Sequence, residues 1–392
     1  TRGIGDWGLM ATGMWNRSDP SSAVYGDKPA YPSAWSRWYQ GWVNPTQINT
    51  SMLNVNIPPV ATSGMIYQLR DNPNGIDWIW NQKSGVGQYF LVENRQKIGY
   101  DLGLPGAGLL VWHIDESVLF NNFANSDPNH RLVDLVQADG LRQLNTTYTD
   151  GDAGDPYPGA TINTVFNDTS NPSSQLYGGI PSGVSLRDIS LGTAPNFIAN
   201  VFVPSFTDVS PNEWYWSPIE SLVAAQVTQG YGQGLYKPQA ETTRGEFAVL
   251  LGRAIYGWDA ALSPATGAIF EDVDANYWAA AWIEKLYQDG LTNGCQVEPL
   301  RFCPEENVSR DEMAVFLIRN LYGNDYSLAP PNGIFQDVAI NTHWAAAEIE
   351  QLYLDGITYG CSTSPLNYCP NRVVLRSEVA AFLARAFNFV AP

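Results

Sequence analysis

Three arginines recur at intervals of 66 residues in the second half of the chain, each at the predicted start of a helix: Arg244, Arg310 and Arg376. An arginine in the first turn of a helix places a bidentate donor beside amide groups that lack a carbonyl partner, at the positive end of the helix dipole. These positions could therefore bind a carboxylate. The alternative is that each arginine pairs with a neighbouring Glu or Asp in a structural salt bridge.

A hydroxyl residue precedes two of these arginines. Thr243 and Ser309 are each followed three residues later by a Glu, which is the pattern of a capping box. In such a box the hydroxyl accepts from the Glu amide, and the Glu carboxylate accepts from the cap amide. Leu375 takes this place before the third arginine, which costs about 1 kcal/mol at that helix end. We expect the first two arginines to be stronger sites than the third.

The arginines belong to a unit that occurs three times, beginning at Phe206, Phe270 and Phe335, which are 64 and 65 residues apart. Each copy contains, in this order, Phe-x-Asp-Val, Trp, Ile, Gly, Pro and Arg-x-Glu. The apolar spacing predicts a helix, a loop and a second helix in every copy. In the second copy Trp278 and Ile283 lie near helical spacing, so both are expected on the first helix.

Four cysteines form two pairs with the same separation of eight residues, Cys295 with Cys303 and Cys361 with Cys369. The equivalent loop of the first copy lacks both cysteines and is two residues shorter. We expect two local disulfides, each worth about 2–3 kcal/mol. The zinc alternative needs CxxC-like pairs, which the sequence lacks. Disulfides indicate an oxidising, extracellular setting.

The run Asp150-Gly-Asp152-Ala-Gly-Asp155 spaces carboxylates as calcium-binding loops do. Thr161 stands where the distal Glu of an EF-hand would be, so an ordinary Gly/Asp turn is the alternative. The loop Asn121–His130 is a second candidate. We hypothesise that one of these two loops binds a structural calcium ion.

The three histidines of the chain are His113, His130 and His343, and no two of them are four residues apart. A helical zinc motif needs two histidines at positions i and i+4, so this motif is absent. His113 lies in an apolar strand next to Asp115 and Glu116. We expect a neutral, structural imidazole that is hydrogen-bonded to a carboxylate.

The net charge is −18, from 39 acidic and 21 basic residues. Nucleic-acid binding requires clustered Lys and Arg, so the acidic balance argues against it. No run of about 18 apolar residues occurs, so no membrane span is expected.

The front part of the chain is rich in Gly, Pro, Asn and aromatic residues, which predicts short strands and long loops. We expect a short helix near Pro32–Gln40. Strands are expected at Gln88–Glu93 and Gly108–Ile114, and the second should be buried on both faces. Gly183–Ile189 and Asn196–Val203 are expected to form a closing hairpin.

Residues 1–203 resemble the secreted zinc metallopeptidases of the immune-inhibitor-A (M6) type. The matching stretches are Gly3–Met10, Ser33–Trp35 with Gly41–Trp42, Tyr89–Asn94, Gly106–Asp115, Val133–Gly140 and Gly154–Gly159. In that family the zinc-binding His-Glu-x-x-His helix precedes the first of these stretches, so here it would fall before residue 1. The resemblance implies a chain truncated at its N-terminus. Zinc and the cleavage of protein or peptide substrates would then belong to the full-length protein, and no catalytic residue lies in this chain.

The same resemblance places Met10 where the family has a Met-containing turn, and we expect this side chain to be packed. It also implies that a half-domain exposes apolar surface where its partner elements belong.

The repeats resemble the S-layer homology (SLH) module, whose pattern is Phe-x-Asp-Val, Trp, Ile, Gly, Pro and Thr-Arg-x-Glu. The resemblance covers about residues 205–390 and three copies. It implies a three-pronged helical unit that attaches an exported protein to cell-wall polysaccharide, often a polymer carrying pyruvate ketals. The glycan-binding residues that it implies are Arg244, Arg310, Arg376, Thr243 and Ser309.

These observations predict an α+β chain with a β-rich portion of a metallopeptidase domain at residues 1–203 and SLH repeats at 204–265, 266–330 and 331–392. We expect the C-terminal part of an exported metallopeptidase, anchored in the cell wall or S-layer. Whether it is an enzyme stays open, because the zinc motif is missing. One alternative is a non-catalytic adhesin or S-layer protein with a degenerate peptidase fold, and another is a free-standing glycan-binding fragment.

Overall fold

The computed structural model describes residues 3–19, 21, 23–70, 87–118, 125–145, 150–191, 195–323 and 325–392. The chain divides into two compact units, which we call the front unit (residues 1–205) and the repeat unit (residues 206–391). The front unit is mostly strands and loops, whereas the repeat unit is mostly helical. The predicted mixed α+β class is confirmed.

The described part of the front unit contains short helices and two sheets. The helices are α1 (Ala34–Tyr39) and α2 (Val60–Ser63), and the strands are β1 (Thr46–Ile48), β2 (Met52–Ile57), β3 (Tyr67–Leu69), β4 (Gln88–Arg95), β5 (Gly108–Asp115), β6 (Val133–Val136), β7 (Ser185–Arg187) and β8 (Phe197–Phe202). Short 3-10 turns occur at Gly5–Trp7, Thr12–Trp15, Gly99–Gly103 and Gln143–Asn145.

The larger sheet has the strand order β1-β3-β4-β5-β6, with a parallel β1–β3 pair and antiparallel pairs elsewhere. Every residue of β5 is buried, as its continuous apolar run predicts. Alternate residues face opposite cores, so Phe90 and Val111 join one apolar cluster while Leu91 and Trp112 join another. The sheet is therefore covered on both faces.

The smaller sheet has the order β2-β8-β7. Strands β7 and β8 pair antiparallel, which confirms the predicted closing hairpin. The helix expected near Pro32–Gln40 is α1, and the strand expected at Gln88–Glu93 is β4.

Among its described residues, the repeat unit contains two α-helices in each copy, as predicted. They are α3 (Trp216–Ala224) and α4 (Arg244–Tyr256), α5 (Ala280–Gln288) and α6 (Arg310–Tyr322), and α7 (Ala346–Leu354) and α8 (Arg376–Ala386). The second and third copies also contain two-residue strands, namely β9 (Gln296–Val297), β10 (Leu300–Arg301), β11 (Ser362–Thr363) and β12 (Leu366–Asn367). Trp278 lies before α5, so the prediction that it shares a helix with Ile283 is wrong.

A ring of three backbone hydrogen bonds joins the segments that precede α4, α6 and α8. The Thr242 amide donates to the Val374 carbonyl (3.0 Å), Val374 donates to Val308 (3.0 Å), and Val308 donates back to Thr242 (2.9 Å). All three residues are fully buried. The copies therefore meet at a closed, threefold hub.

Helices pack between copies around this hub. The second helix of each copy lies against the first helix of the next, so α4 packs on α5, α6 on α7, and α8 returns to α3. One apolar cluster takes side chains from all three copies, from Phe206 to Ala386. Each copy therefore depends on its neighbours to bury its apolar surface, as repeat architectures generally do.

The repeated Asp orients the loop that lies before the repeated Pro. Asp272 accepts hydrogen bonds from the consecutive amides of Phe302 (2.8 Å) and Cys303 (2.7 Å). Asp208 and Asp337 bind the equivalent amides of their own copies. The Phe-x-Asp-Val motif thus joins the beginning of each copy to its central loop.

The repeated Gly is required by a close backbone approach. Gly294 has φ +81°, and a Cβ at this position would lie 2.2 Å from the Arg301 carbonyl oxygen and 3.1 Å from the Phe270 ring. Gly230 and Gly360 have the same conformation and the same close contact. A side chain at these positions would therefore clash and strain the backbone.

Both predicted disulfides are present, Cys295–Cys303 and Cys361–Cys369. Each closes a loop that contains one of the two short hairpins, β9–β10 or β11–β12. The equivalent first-copy loop has no cysteine.

Candidate functional site

Each of the three arginines extends from its own copy into the next one. The Arg244 Nε donates to the Phe302 carbonyl at 2.8 Å, and its Nη1 lies 2.5 Å from Glu312 Oε1. Both partners belong to the second copy. We call this contact between copies junction 1, the equivalent contact of Arg310 junction 2, and that of Arg376 junction 3.

Junctions 2 and 3 repeat the pattern. Arg310 donates to the Tyr368 carbonyl (2.8 Å) and lies 3.3 Å from Glu378. Arg376 donates from Nε to the Tyr236 carbonyl (3.0 Å) in the first copy. Junction 3 therefore closes the ring from the last copy to the first.

The guanidinium groups lie over aromatic rings of the neighbouring copy. The Arg244 Cζ is 5.0 Å from the Phe302 ring centroid, and the Arg310 Cζ is 4.7 Å from the Tyr368 ring centroid. All three arginines are at least 95% buried. The negative face of the ring attracts the guanidinium cation, and the planar guanidinium loses little conformational entropy when it is held there.

The helix amides that were expected to be free are occupied. At the start of α4, the backbone amide of Arg244 donates to the Glu306 carbonyl (2.8 Å), and that of Gly245 donates to the Pro304 carbonyl (2.9 Å). The equivalent amides of α6 and α8 donate to Arg372, Pro370, Ala240 and Pro238. The prediction that free amides at these helix ends could bind a carboxylate is therefore wrong, because carbonyl groups of the next copy already accept hydrogen bonds from them. The arginines form the structural salt bridges of the alternative interpretation, and their role in glycan binding stays a prediction.

The two predicted capping boxes differ in the structure. Thr243 forms the complete box with Glu246, at 3.2 and 3.3 Å. The Ser309 hydroxyl instead donates to Asp311 and Glu312, while the Glu312 amide donates to Asp311 (2.9 Å). The carboxylate half of the box predicted at Ser309 is confirmed, because Glu312 accepts from the Ser309 amide (3.0 Å), whereas Asp311 takes the place of the hydroxyl as the acceptor for the Glu312 amide.

The Arg–Glu distances differ between the junctions, and the predicted ranking of the arginines as glycan sites stays a prediction. Arg376 Nη1 lies 3.9 Å from Glu246, compared with 2.5 and 3.3 Å for the pairs at the other two junctions. Lys237 also belongs to this region, because its Nζ lies 4.5 Å from the Tyr231 ring, over which Arg376 stacks at 4.3 Å. Junction 3 therefore contains two cations, Arg376 and Lys237, and has the longest Arg–Glu distance of the three junctions.

One repeated aromatic residue is mostly exposed. Trp214, Trp278 and Trp344 are 59, 60 and 61% exposed, and each stands two residues before the first helix of its copy. Trp344 donates to Asp311 (3.1 Å), next to Arg310, which places it at junction 2. Sequence reasoning did not select these tryptophans as site residues. The available signal was that a tryptophan occurs at the same position of the motif in all three copies.

His113 is a structural histidine in the front unit. It is buried, stacks on Tyr177 with ring centroids 4.4 Å apart, and lies 3.0 Å from Gln88 Oε1. Burial lowers the pKa of His113 to about 4, so the imidazole is neutral at physiological pH. The prediction that His113 is hydrogen-bonded to a carboxylate is wrong, because the neighbouring Asp115 contacts His130 instead (2.6 Å).

The described residues do not fit a zinc ion. Their closely spaced groups of potential metal ligands contain no histidine, and two of the three groups include disulfide-bonded cysteines. Met10 is 70% exposed, so its expected packing role is wrong. Met14, Trp15, Tyr25 and Trp42 are exposed as well.

The predicted calcium ligands are only partly brought together. Asp152 and Asp155 lie close to Asp139, which the sequence reasoning did not select, and Asp150 is not part of this group. Residues 121–124 of the second candidate loop lie outside the described residues.

Residues 205–248 match the family model of the S-layer homology domain. The endoglucanase of Bacillus sp. (strain KSM-635) is 26% identical over 155 residues, which are 38% of this chain and 15% of that protein. The surface-layer 125 kDa protein of Lysinibacillus sphaericus is 25% identical over 175 residues, covering 44% and 14%. The cellulosome-anchoring protein of Acetivibrio thermocellus is 25% identical over 164 residues, covering 42% and 36%. The match spans a minor part of each relative's length.

An SLH domain is thus present in the first copy, and the relatives include S-layer and anchoring proteins. The chain is an extracellular, cell-wall-associated protein, as its disulfides also indicate. SLH domains bind cell-wall polysaccharide. No helix among the described residues is long and apolar enough to cross a membrane.

Proposed function

We propose that all three copies are SLH domains and that they form one anchoring unit, which binds cell-wall polysaccharide at the junctions. The second and third copies have the same motif, helix order and junction contacts as the first copy, which contains the matched segment. The closed hub makes the three copies a single structural unit.

The observation that carries this proposal is the exposed tryptophan of each copy. The repeated Phe, Val and Ile are buried, and the repeated Asp, Pro, Arg and Glu form bonds within the unit. An exposed indole is an apolar platform with one hydrogen-bond donor, which suits the face and the hydroxyl groups of a sugar ring. Three such platforms related by the threefold hub would bind a repetitive polymer through several weak contacts.

The sacculus-binding assay tests this role. In the variant with Trp214→Ala, Trp278→Ala and Trp344→Ala, the 392-residue chain should pellet with purified wall sacculi at least about tenfold more weakly, since each ring contact is worth about 0.5–1.5 kcal/mol. Trp258→Ala is the matched control, because this indole is 39% exposed and stacks on Arg253 outside the repeated motif. Equal pelleting of the triple variant and the control would refute the assignment.

We further propose that an anionic group of the polymer, such as a pyruvate ketal, is recognised at junction 3. The chain carries a net charge of −18, so the protein as a whole repels an anionic polymer. Lys237 and Arg376 supply two local cations against one distant carboxylate.

The discriminating variant is Lys237→Gln, which should weaken pelleting with native walls and leave pelleting unchanged with walls whose ketals have been hydrolysed. Lys285→Gln is its control, because Lys285 pairs with Asp289 at 2.8 Å on a helix surface. The proposal fails if both variants behave alike on native walls.

For the front unit we propose the C-terminal portion of an M6-type metallopeptidase domain. The support is the resemblance along six stretches, two of which form the neighbouring central strands β4 and β5. Zinc would be bound by a His-Glu-x-x-His helix encoded before residue 1, and protein or peptide chains would be the substrates. Such a motif within a few dozen codons upstream, in an intact reading frame, would support the peptidase. A nearby start codon would support the alternative, a surface adhesin with a degenerate peptidase fold.

A further inference from the structure

Three carboxylates from two segments of the front unit converge on one point. Asp139 follows β6, whereas Asp152 and Asp155 lie in the loop that comes later in the chain. One oxygen of each carboxylate lies within 4.8 Å of the other two. Like charges held this close repel one another unless a cation or a proton neutralises them.

Asp155 provides the second observation. This residue is 99% buried, and its Oδ2 accepts from the Trp7 indole (2.8 Å) and from the Asp152 amide (2.9 Å). Its other oxygen, Oδ1, is buried without any hydrogen-bond partner. Burial, together with the charges of Asp152 and Asp139, raises the pKa of Asp155 to about 6. An unpaired buried carboxylate oxygen beside two further carboxylates is costly, and a bound cation would remove that cost.

Gly154 keeps the space between the carboxylates open. A Cβ at this position would lie 2.8 Å from Asp139 Oδ2 and 3.0 Å from Asp152 Oδ1. A methyl group would therefore occupy the volume between these two oxygens, which a cation could otherwise share.

We infer that Asp139, Asp152 and Asp155 bind a calcium ion. Oxygens at 2.3–2.6 Å from one Ca²⁺ are at most about 5 Å apart, and the three carboxylate oxygens lie within this limit. Zinc prefers nitrogen and sulfur ligands, and this group offers only oxygen. Asp152 is exposed, so water can complete the coordination shell. This set replaces Asp150 of the sequence prediction by Asp139, which is 11 residues away in the chain.

The ion would connect three parts of the front unit. The Asp155 carbonyl accepts from the Ala138 amide (2.8 Å), beside Asp139, and the Asp155 carboxylate binds Trp7 in the first 3-10 turn. The Asp6 amide also donates to the Asp150 carbonyl (2.6 Å) in the same loop. Calcium should therefore stabilise the front unit and leave the repeat unit unchanged.

Terbium luminescence and thermal unfolding of the 392-residue chain test the site. Tb³⁺ replaces Ca²⁺ at oxygen sites, and excitation of Trp7 should sensitise a bound ion. We expect a saturable signal that Ca²⁺ displaces at least about tenfold more effectively than Mg²⁺, and a front-unit transition that is several degrees higher in Ca²⁺ than in EDTA. No saturable signal, or no difference between Ca²⁺ and EDTA, would overturn the inference.

Matched variants locate the ion. Asp139→Asn should weaken Tb³⁺ binding at least about tenfold by removing one charged ligand, and Gly154→Ala should do so by filling the space. Asp150→Asn is the control, because the Asp150 carboxylate lies in the same loop but outside the group of three. The affinity of this variant for Tb³⁺ should stay within about twofold of that of the parent chain. Unchanged binding in both Asp139→Asn and Gly154→Ala, or an equal loss in Asp150→Asn, would place the ion elsewhere and refute the assignment.

Discussion

Replacement of Arg310 by alanine should destabilise the repeat unit far more than loss of an ordinary surface arginine. The side chain is 98% buried, and it donates to the Tyr368 carbonyl at 2.8 Å and lies 3.3 Å from Glu378. Alanine removes both contacts and leaves a cavity between the rings of Tyr368 and Phe382, which flank the guanidinium.

The magnitude follows from the groups that are left behind. Loss of one partner of a buried ion pair costs about 3–5 kcal/mol when the other charge stays unpaired. Glu378 keeps Arg372 as a partner, so the low end of this range applies. The unsatisfied carbonyl of Tyr368 contributes about 1 kcal/mol. We therefore expect a loss of about 3–4 kcal/mol in the free energy of unfolding of the repeat unit.

The assay is urea unfolding of the 392-residue chain, followed by hydrogen exchange in peptides from α6 and α8. Arg301→Ala is the matched control, since Arg301 pairs with Glu271 at 3.4 Å and both side chains are about half exposed. Such pairs contribute less than about 1 kcal/mol. Arg310→Lys keeps the charge but loses the planar fork, so its cost should be intermediate. Equal losses for Arg310→Ala and Arg301→Ala would refute the view that the junction arginines hold the copies together.

Three further predictions concern other parts of the chain. Gly294→Ala should lower the free energy of unfolding in urea by more than about 2 kcal/mol, because Gly294 has φ +81° and a Cβ would clash with the Arg301 carbonyl oxygen. A loss no larger than that of an Ala substitution at an exposed position would contradict this. Joint replacement of Cys295 and Cys303 by Ser should lower the unfolding free energy of the repeat unit by about 2–3 kcal/mol, and an unchanged urea midpoint would argue against a stabilising disulfide. Between pH 6.5 and about 4, His113 should lower the stability of the front unit as the pH falls, because unfolded His113 binds a proton that the folded form, with its pKa of about 4, excludes; Asp155, whose pKa is raised to about 6, contributes in the opposite direction. His113→Phe should remove the His113 contribution and make unfolding measured at several pH values less sensitive to acid, and a slope equal to that of the parent chain would contradict this assignment.

Local patterns in the sequence predicted the elements of this protein. Apolar periodicity identified the paired helices, and the apolar run Leu109–Ile114 identified a strand that is buried on both faces. The disulfide pairs followed from a shared insertion with two cysteines. Such features depend on neighbouring residues alone, because helix and strand periodicity and short loop closure are local properties.

The candidate sites were predicted less well, because they depend on residues that are distant in the chain. The amides at the start of α4 are free within their own helix, but Pro304 and Glu306 of the next copy supply the acceptors. The Glu312 amide donates to Asp311 instead of the Ser309 hydroxyl, and a capping motif defined only by the cap residue and the Glu does not include Asp311. Asp139 is separated from Asp152 by a loop, and no spacing rule could bring them together.

The sequence by itself determined that three copies of one helical motif follow a β-rich region, and which cysteines pair. Tertiary structure decided what the repeated residues do. It buried the three arginines between successive copies, left the three tryptophans exposed, and joined Thr242, Val308 and Val374 into a closed hub. The physical reason is that burial and hydrogen-bond satisfaction are properties of the packed chain, since a donor is free or occupied only when its neighbours in space are known.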